Sequence, residues 1–293
     1  MPKSGSHKSQ HYIPRSYLSA WCDPHTPTGM QPFVWIFDPS GGVGRKRAPQ
    51  NLFTETDIYT VFGPGGSRDL TIEYELSQLE QGLKKLVTDF LASHRQLPRL
   101  RQSQLIAFIT AMHGRTPQAR ELQRTLWQQT LEATEKKAVA QGNPANSDAQ
   151  LHSLRKAVAS PMQFLLPGAM MDGLPMLSEM TMTIMCSEEP GFITSDSPVT
   201  WFDPTVPRQR FLTQKISLAD PGIEVVMPLS PRHTIILHHP KPPLEKPIRY
   251  VGASPATVAA LNRRTAHYAN EVIVSWKDGF DPEWRIGGRV GLD

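Results

Sequence analysis

Three short stretches carry side chains able to move protons or hold an anion. The first is His11-Tyr12-Ile13-Pro14-Arg15: imidazole exchanges protons near neutral pH, and guanidinium grips phosphate or carboxylate with a planar fork. His11 is therefore a candidate general acid or base and Arg15 a candidate substrate-binding group. The competing reading has His11 capping a helix and Arg15 in a surface pair. The second stretch holds Glu80, on the flank of an apolar stripe, with Glu73 seven residues earlier on nearly the same side of a helix. Such carboxylates can divide into acid and base or hold a hard cation, while Lys84, four residues after Glu80, offers an ordinary surface pair. The third, Phe192 to Val199, is a strand ending in Ser195-Asp196-Ser197-Pro198. Asp196 there can take a proton or orient His11, with Ser195 as a substrate contact; its other reading is an Asx turn. Ser195 lacks the Gly-x-Ser-x-Gly elbow of serine hydrolases. Arg115, in Arg115-Thr116-Pro117 between two helical patterns, adds either a phosphate-binding charge or compensation for the carbonyl end of the preceding helix.

Missing motifs narrow the chemistry. There is no Walker loop, no dinucleotide glycine fingerprint and no His-Glu-x-x-His. The glycine-rich stretches 40–44 and 63–66 read as hairpin turns rather than phosphate cradles, since no helix pattern follows to aim its amides. Cys22-Asp23-Pro24-His25 offers two zinc-ligand types without a second pair at metal spacing, so no metal site is expected there. No cofactor is expected either, apart from a magnesium ion weakly held at Glu80.

Composition sets the setting. With 31 Lys and Arg against 27 Asp and Glu, a net charge of +4 allows an acidic partner such as RNA without requiring one. Arg45-Lys46-Arg47 is a small basic patch usable against a phosphate backbone or simply solvated. The 2 cysteines cannot make a disulfide framework and fit a reducing compartment. Residues 1–10 are polar, without the apolar core of a secretory signal, and read as a disordered tail. No stretch has 18 clean apolar residues, so no membrane span is expected and the cytoplasm is the expected location.

The elements that must position these residues follow from periodicity and punctuation. A short helix begins at Pro14 and stops before Pro24, and Phe33 to Phe37 reads as a strand returning through Gly44 to Arg47 as a hairpin. Residues 51–62 take no assignment. Leu76, Leu79, Leu83, Leu86 and Phe90 follow helical steps from Asp69 onward. Further helices are expected over Gln102 to Met112, over Pro117 to Gln141 with a solvated outer face, over Asp148 to Ala157, and over a methionine-rich Gly173 to Cys186. After Gly191 the pattern turns to strands at 192–195, 199–202, 224–227, 234–238 and 272–276. One helix interrupts them from Pro255 to Tyr268, capped by Ser254. The expectation is an α+β fold: an N-terminal hairpin and helical layer packed on a C-terminal, mostly antiparallel sheet. One domain over 11–277 is preferred to a division near 141–147, with a polar tail from 278 to 293.

Taken in order, His11 to Arg15 with Tyr17, Leu18 and Trp21, the helical Glu80, Arg115-Thr116-Pro117, Phe192 to Val199, Pro228-Leu229-Ser230-Pro231 and Asn262 resemble one known set. They look like the domain-of-unknown-function family four-two-three-eight, largely bacterial and phage-distributed, over His11 to about Ser275. The resemblance implies no established reaction. Polar landmarks at element ends fit an enzyme better than a scaffold. Trp21 stands where relatives often have Phe, and Ser197 where Asn is common; neither removes a candidate group. The leading expectation is a phosphodiester hydrolase, an RNA-directed nuclease of the defence or toxin kind. His11, Glu80 and Asp196 would be catalytic, and Arg15, Arg115 and Ser195 would bind substrate. The alternative is a binding or regulatory protein in which these residues form an internal network. Neither expectation specifies an oligomeric partner.

Overall fold

In the computed structural model, which describes residues 9–140, 149–203, 217–240 and 248–284, the first element is strand β1 (Ser9–His11). Pro14, with its ψ in the extended range, turns the chain into helix α1 (Arg15–Leu18), which tightens into a 3-10 turn at Ser19–Trp21. The expected hairpin is present as β2 (Val34–Phe37) and β3 (Arg45–Arg47), antiparallel with Val34 opposite Arg47. Strand β4 (Thr54–Thr56), in the stretch that took no assignment, pairs antiparallel with β1. Ser9 and Gln10 therefore belong to a strand rather than to the expected tail, and Gln10 is fully buried. The turn at 63–66 joins β5 (Val61–Phe62) to β6 (Arg68–Asp69), with Gly65 and Gly66 at positive φ as such a turn requires.

The helical layer begins with α2 (Thr71–Gln81), α3 (Leu83–Leu86) and a π turn at Val87–Leu91. The single periodic stripe is thus divided at Gly82, the residue least able to hold a helix interior apart from proline. Then follow α4 (Arg99–Gly114), α5 (Pro117–Ala140), α6 (Ala149–Ala159) and α7 (Pro161–Ser178). Along α5 only Leu131 and Ala138 are buried, in keeping with its polar sequence.

The methionine-rich helix expected over Gly173 to Cys186 is corrected. Helix α7 ends at Ser178, and Thr181–Cys186 forms strand β7. Thr181, Thr183 and Ile184 are β-branched, and β7 is flanked on both edges, so ladder hydrogen bonds and packing override the local helical spacing. The remaining elements are β8 (Thr194–Ser195), β9 (Thr200–Phe202), β10 (Glu224–Ser230), β11 (His233–His238), β12 (Arg249–Gly252), α8 (Pro255–Tyr268) and β13 (Ile273–Ser275). Ser254 caps α8 through its Oγ, which accepts the Thr257 N–H at 3.2 Å.

Two sheets organise the fold. One runs β12-β7-β11-β10-β9, antiparallel except for the β12–β7 pair; the other runs β3-β2-β13-β8, antiparallel throughout. The architecture is α+β with mostly antiparallel sheets, and the N-terminal hairpin shares a sheet with C-terminal strands instead of standing apart. The largest core draws Tyr17 and Trp21 from α1 and its extension, Phe108 and Met112 from α4, and Val225 and Ile235 from the five-stranded sheet. Buried hydrogen bonds lock it: Tyr17 Oη meets Thr194 Oγ1 and donates to the Pro228 carbonyl, both at 2.7 Å, and Trp21 Nε1 donates to the Phe192 carbonyl at 3.1 Å.

Trp284 is buried against Phe37 and Phe280, so packing continues past the boundary expected at 278. The rest of the two expected tails, 1–8 and 285–293, and the expected division at 141–147 lie outside the described residues. Among the described residues no helix is long and apolar enough to cross a membrane.

Candidate functional site

Glu73, Ser77 and Glu80 stand one and two turns apart along α2, so all three face the same way. That face forms one wall of a pocket of about 380 Å³. The opposite wall is His11 at the end of β1, Arg15 and Ser16 at the start of α1, Tyr59, and Arg115 at the C-terminus of α4. Four of the six residues picked from sequence as candidates therefore meet: His11, Arg15, Glu80 and Arg115.

Arg115 is the hub. Its side chain is buried, and its guanidinium has three partners: Nε donates to Tyr59 Oη at 3.0 Å, Nη1 to Glu80 Oε1 at 2.8 Å, and Nη2 to the His11 carbonyl at 2.8 Å. Burial alone would weaken its charge; Tyr59 and Glu80 more than offset this and hold the pKa above the ordinary arginine value. A guanidinium so engaged holds protein to protein. With three of its five N–H donors so used, Arg115 is a clamp joining α4, α2 and β1 as well as a lining residue of the pocket, and Glu80 is its counter-charge.

Gln10 makes a parallel clamp. Its Nε2 donates to Glu73 Oε2 at 2.7 Å and Thr60 Oγ1 at 3.1 Å, while its Oε1 accepts the Tyr59 N–H at 2.7 Å. Each of the two pocket carboxylates of α2, Glu73 and Glu80, thus has an internal partner. Among the described residues they belong to no cluster of three metal-ligand side chains.

His11 differs from these neighbours. Its Nε2 is buried without a hydrogen-bond partner. Desolvation and then Arg15 lower its pKa below the ordinary histidine value, against the opposing pull of the nearby Gln50 and Pro49 carbonyls, with Arg115 adding a smaller lowering. The ring is therefore neutral at pH 7 and able to accept a proton. Arg15, exposed at the rim, is the pocket arginine whose charge faces water.

Ser195 and Asp196 do not line this pocket, and their hydrogen bonds are made to main-chain amides. Asp196 Oδ1 accepts the Asn270 N–H at 2.8 Å, and Oδ2 accepts those of Glu271 at 2.6 Å and Val272 at 3.2 Å. The carboxylate thus pins three amides between α8 and β13, and its hydrogen bonds go to these amides rather than to the His11 ring. Burial raises its pKa above the usual aspartate value, against the pull of the three amides, and Glu271 adds to the rise. Ser195 Oγ accepts the Ser197 N–H at 3.1 Å, a local turn bond. Asn262 is another clamp, accepting from Ile193 N–H at 3.1 Å and donating to the Gly191 carbonyl at 2.8 Å.

Sequence reasoning missed Gln10 and Tyr59. Gln10 fell in the expected tail and Tyr59 in the unassigned stretch 51–62. A signal for both was the pairing of 9–11 with 54–56, which no local pattern announces because each strand is three residues long.

A family model described as a protein of unknown function (DUF4238) matches residues 9–279, nearly the whole chain. No curated protein and no solved structure matches it.

Proposed function

We propose that this chain, which belongs to the DUF4238 family, is a phosphodiester hydrolase directed at RNA, of the defence or toxin kind. The observation that supports it is the convergence of His11, Arg15, Glu80 and Arg115 on one pocket from three separate stretches of sequence. In this reading neutral His11 is the general base. It takes the proton of a ribose 2′-hydroxyl, whose oxygen attacks the adjacent phosphorus; the bond to the 5′ oxygen breaks, leaving a 2′,3′-cyclic phosphate, that oxygen takes a proton from water, and the hydroxide so formed recovers the proton from His11. Water then opens the cyclic phosphate in a slower second step, which completes the hydrolysis. Arg15 at the rim pairs with the phosphate. Glu80 and Arg115 are positioning residues, since Arg115 fixes the His11 main chain. Nε2 is covered by surrounding protein, so this reaction requires the pocket wall to open locally when RNA engages.

A second reading has one specific observation in its favour: every nitrogen of the Arg115 guanidinium already has a partner within the protein. A binding or regulatory module would keep the same network for rigidity alone. The experiment is induced expression in a bacterial host of wild type and His11→Ala, followed by examination of total RNA, with purified protein then incubated with RNA. Toxicity and RNA loss confined to wild type, with cyclic phosphate ends, are expected from the hydrolase. Equal growth and intact RNA with both proteins folded would overturn it in favour of the module.

A further inference from the structure

Apart from the pocket, three metal-ligand side chains from distant parts of the chain come together at one edge of the five-stranded sheet. Cys186 ends β7 and His233 begins β11, and the two are directly opposite each other in the antiparallel ladder. Paired residues of this kind project side by side on one face of a sheet. His94 arrives from the loop between the π turn and α4, and the ligand atoms of all three lie within 4.8 Å of one another.

The surroundings orient the two imidazoles. His233 Nδ1 lies 3.0 Å from Ser230 Oγ, which leaves Nε2 as the nitrogen free of that bond. Such an outer hydrogen bond is the usual support of a metal-bound imidazole. His94 adopts φ +50, in the left-handed region that histidine, like asparagine and aspartate, enters more readily than other non-glycine residues. Its ring stacks on Tyr250 of β12 with centroids 5.0 Å apart, and Tyr250 Oη bonds the Arg95 carbonyl at 2.5 Å. The loop is thereby tied over the sheet edge with its imidazole turned to the Cys186–His233 pair.

We propose that His94, Cys186 and His233 form a binding site for a zinc ion. One thiolate and two imidazoles are a borderline-soft set suited to zinc. Bond lengths of about 2.0 to 2.3 Å in tetrahedral geometry bring such atoms to roughly 3.3 to 3.7 Å apart. Closing from 4.8 Å therefore takes about 1 Å, which rotation of the exposed His94 side chain can supply. Three protein ligands leave the fourth position for water. His233 also lines an apolar cleft of about 370 Å³, shared with Cys22, Leu83 and Trp276, so the site has an approach from solvent. The ion would bridge the α4 approach loop to the sheet. It stands independently of the reading of the His11 pocket.

The test uses the full chain without a histidine tag. Cobalt titration reads the ligands directly, because thiolate coordination gives a near-ultraviolet charge-transfer band and tetrahedral geometry an intense visible one. Expected are one equivalent of tight binding, displacement by zinc, and a rise in melting temperature with zinc. The thiolate band should vanish in Cys186→Ser, persist in Cys22→Ser, and lose intensity with at least tenfold weaker binding in His94→Ala. Because His94 sits at positive φ, His94→Asn, which tolerates that backbone, is made beside His94→Ala and should weaken binding to the same extent with its melting temperature unchanged in the absence of metal. Absence of stoichiometric binding in wild type, or a thiolate band that survives Cys186→Ser, overturns the site.

Discussion

Arg115 Nη1 donates to Glu80 Oε1 at 2.8 Å across 35 residues of sequence, and the same guanidinium holds the His11 carbonyl. The pair is asymmetric in burial, with 3% of the Arg115 side chain exposed against 20% for Glu80. Removing the acid therefore leaves a nearly buried cation without its counter-charge. Glu80→Ala should cost about 3 kcal/mol or more in urea unfolding, and Glu80→Gln, which keeps an acceptor, roughly half of that. Equal stability of wild type and Glu80→Ala would deny the pair its place at the centre of the network.

His11 makes the opposite prediction. Arg115 and Tyr59 bind its main-chain carbonyl, not its ring, and those contacts survive truncation of the side chain. His11→Ala should therefore shift stability by no more than about 1 kcal/mol, since the lost ring packing is offset by removal of a buried unpartnered nitrogen. Under the hydrolase reading, RNA cleavage should disappear in the same protein. A large fall in melting temperature would place His11 in the structural network instead.

Asp196→Ala should leave the amides of Asn270, Glu271 and Val272 without their common acceptor. The expected loss is on the order of 3 kcal/mol, with faster hydrogen exchange at those three amides. A change confined to activity, with exchange unaltered, would restore a functional role to this carboxylate.

His113 stacks on Trp201 with centroids 4.1 Å apart, and burial lowers its pKa from 6.5 to about 4. Its folded pKa lies below its unfolded one, so the unfolded state binds the extra proton. The stability that neutral His113 contributes is complete above about pH 6.5 and is lost as pH falls toward 4, by up to roughly 2 kcal/mol after allowance for partial exposure. Chemical unfolding at pH 7 and at about pH 5 measures this. His113→Phe, which retains an aromatic ring without a titrating group, should flatten that part of the profile; an unchanged slope would assign the acid sensitivity to other groups.

Periodicity and turn chemistry determined much of the fold. The helix from Pro255 to Tyr268 and the hairpin around Gly41 and Gly42 follow from signals a few residues long: a serine cap ahead of a proline, and a β-rich run ending at glycines. The sequence likewise marked His11, Arg15, Glu80 and Arg115, because polar groups beside apolar stripes stand out against their neighbours. Tertiary structure alone decided what those groups do. Arg115 was equally suited to phosphate or to carboxylate, and which anion it meets depends on α2 being carried against β1, a long-range contact. Asp196 was tied to three amides rather than to His11 by the return of the chain after α8. Thr181–Cys186 became strand instead of helix because neighbours lie on both its edges. The His94, Cys186 and His233 cluster was hidden for the same reason: metal spacing is visible in sequence only when ligands share one turn or hairpin, and here cross-strand register and a distant loop bring them together.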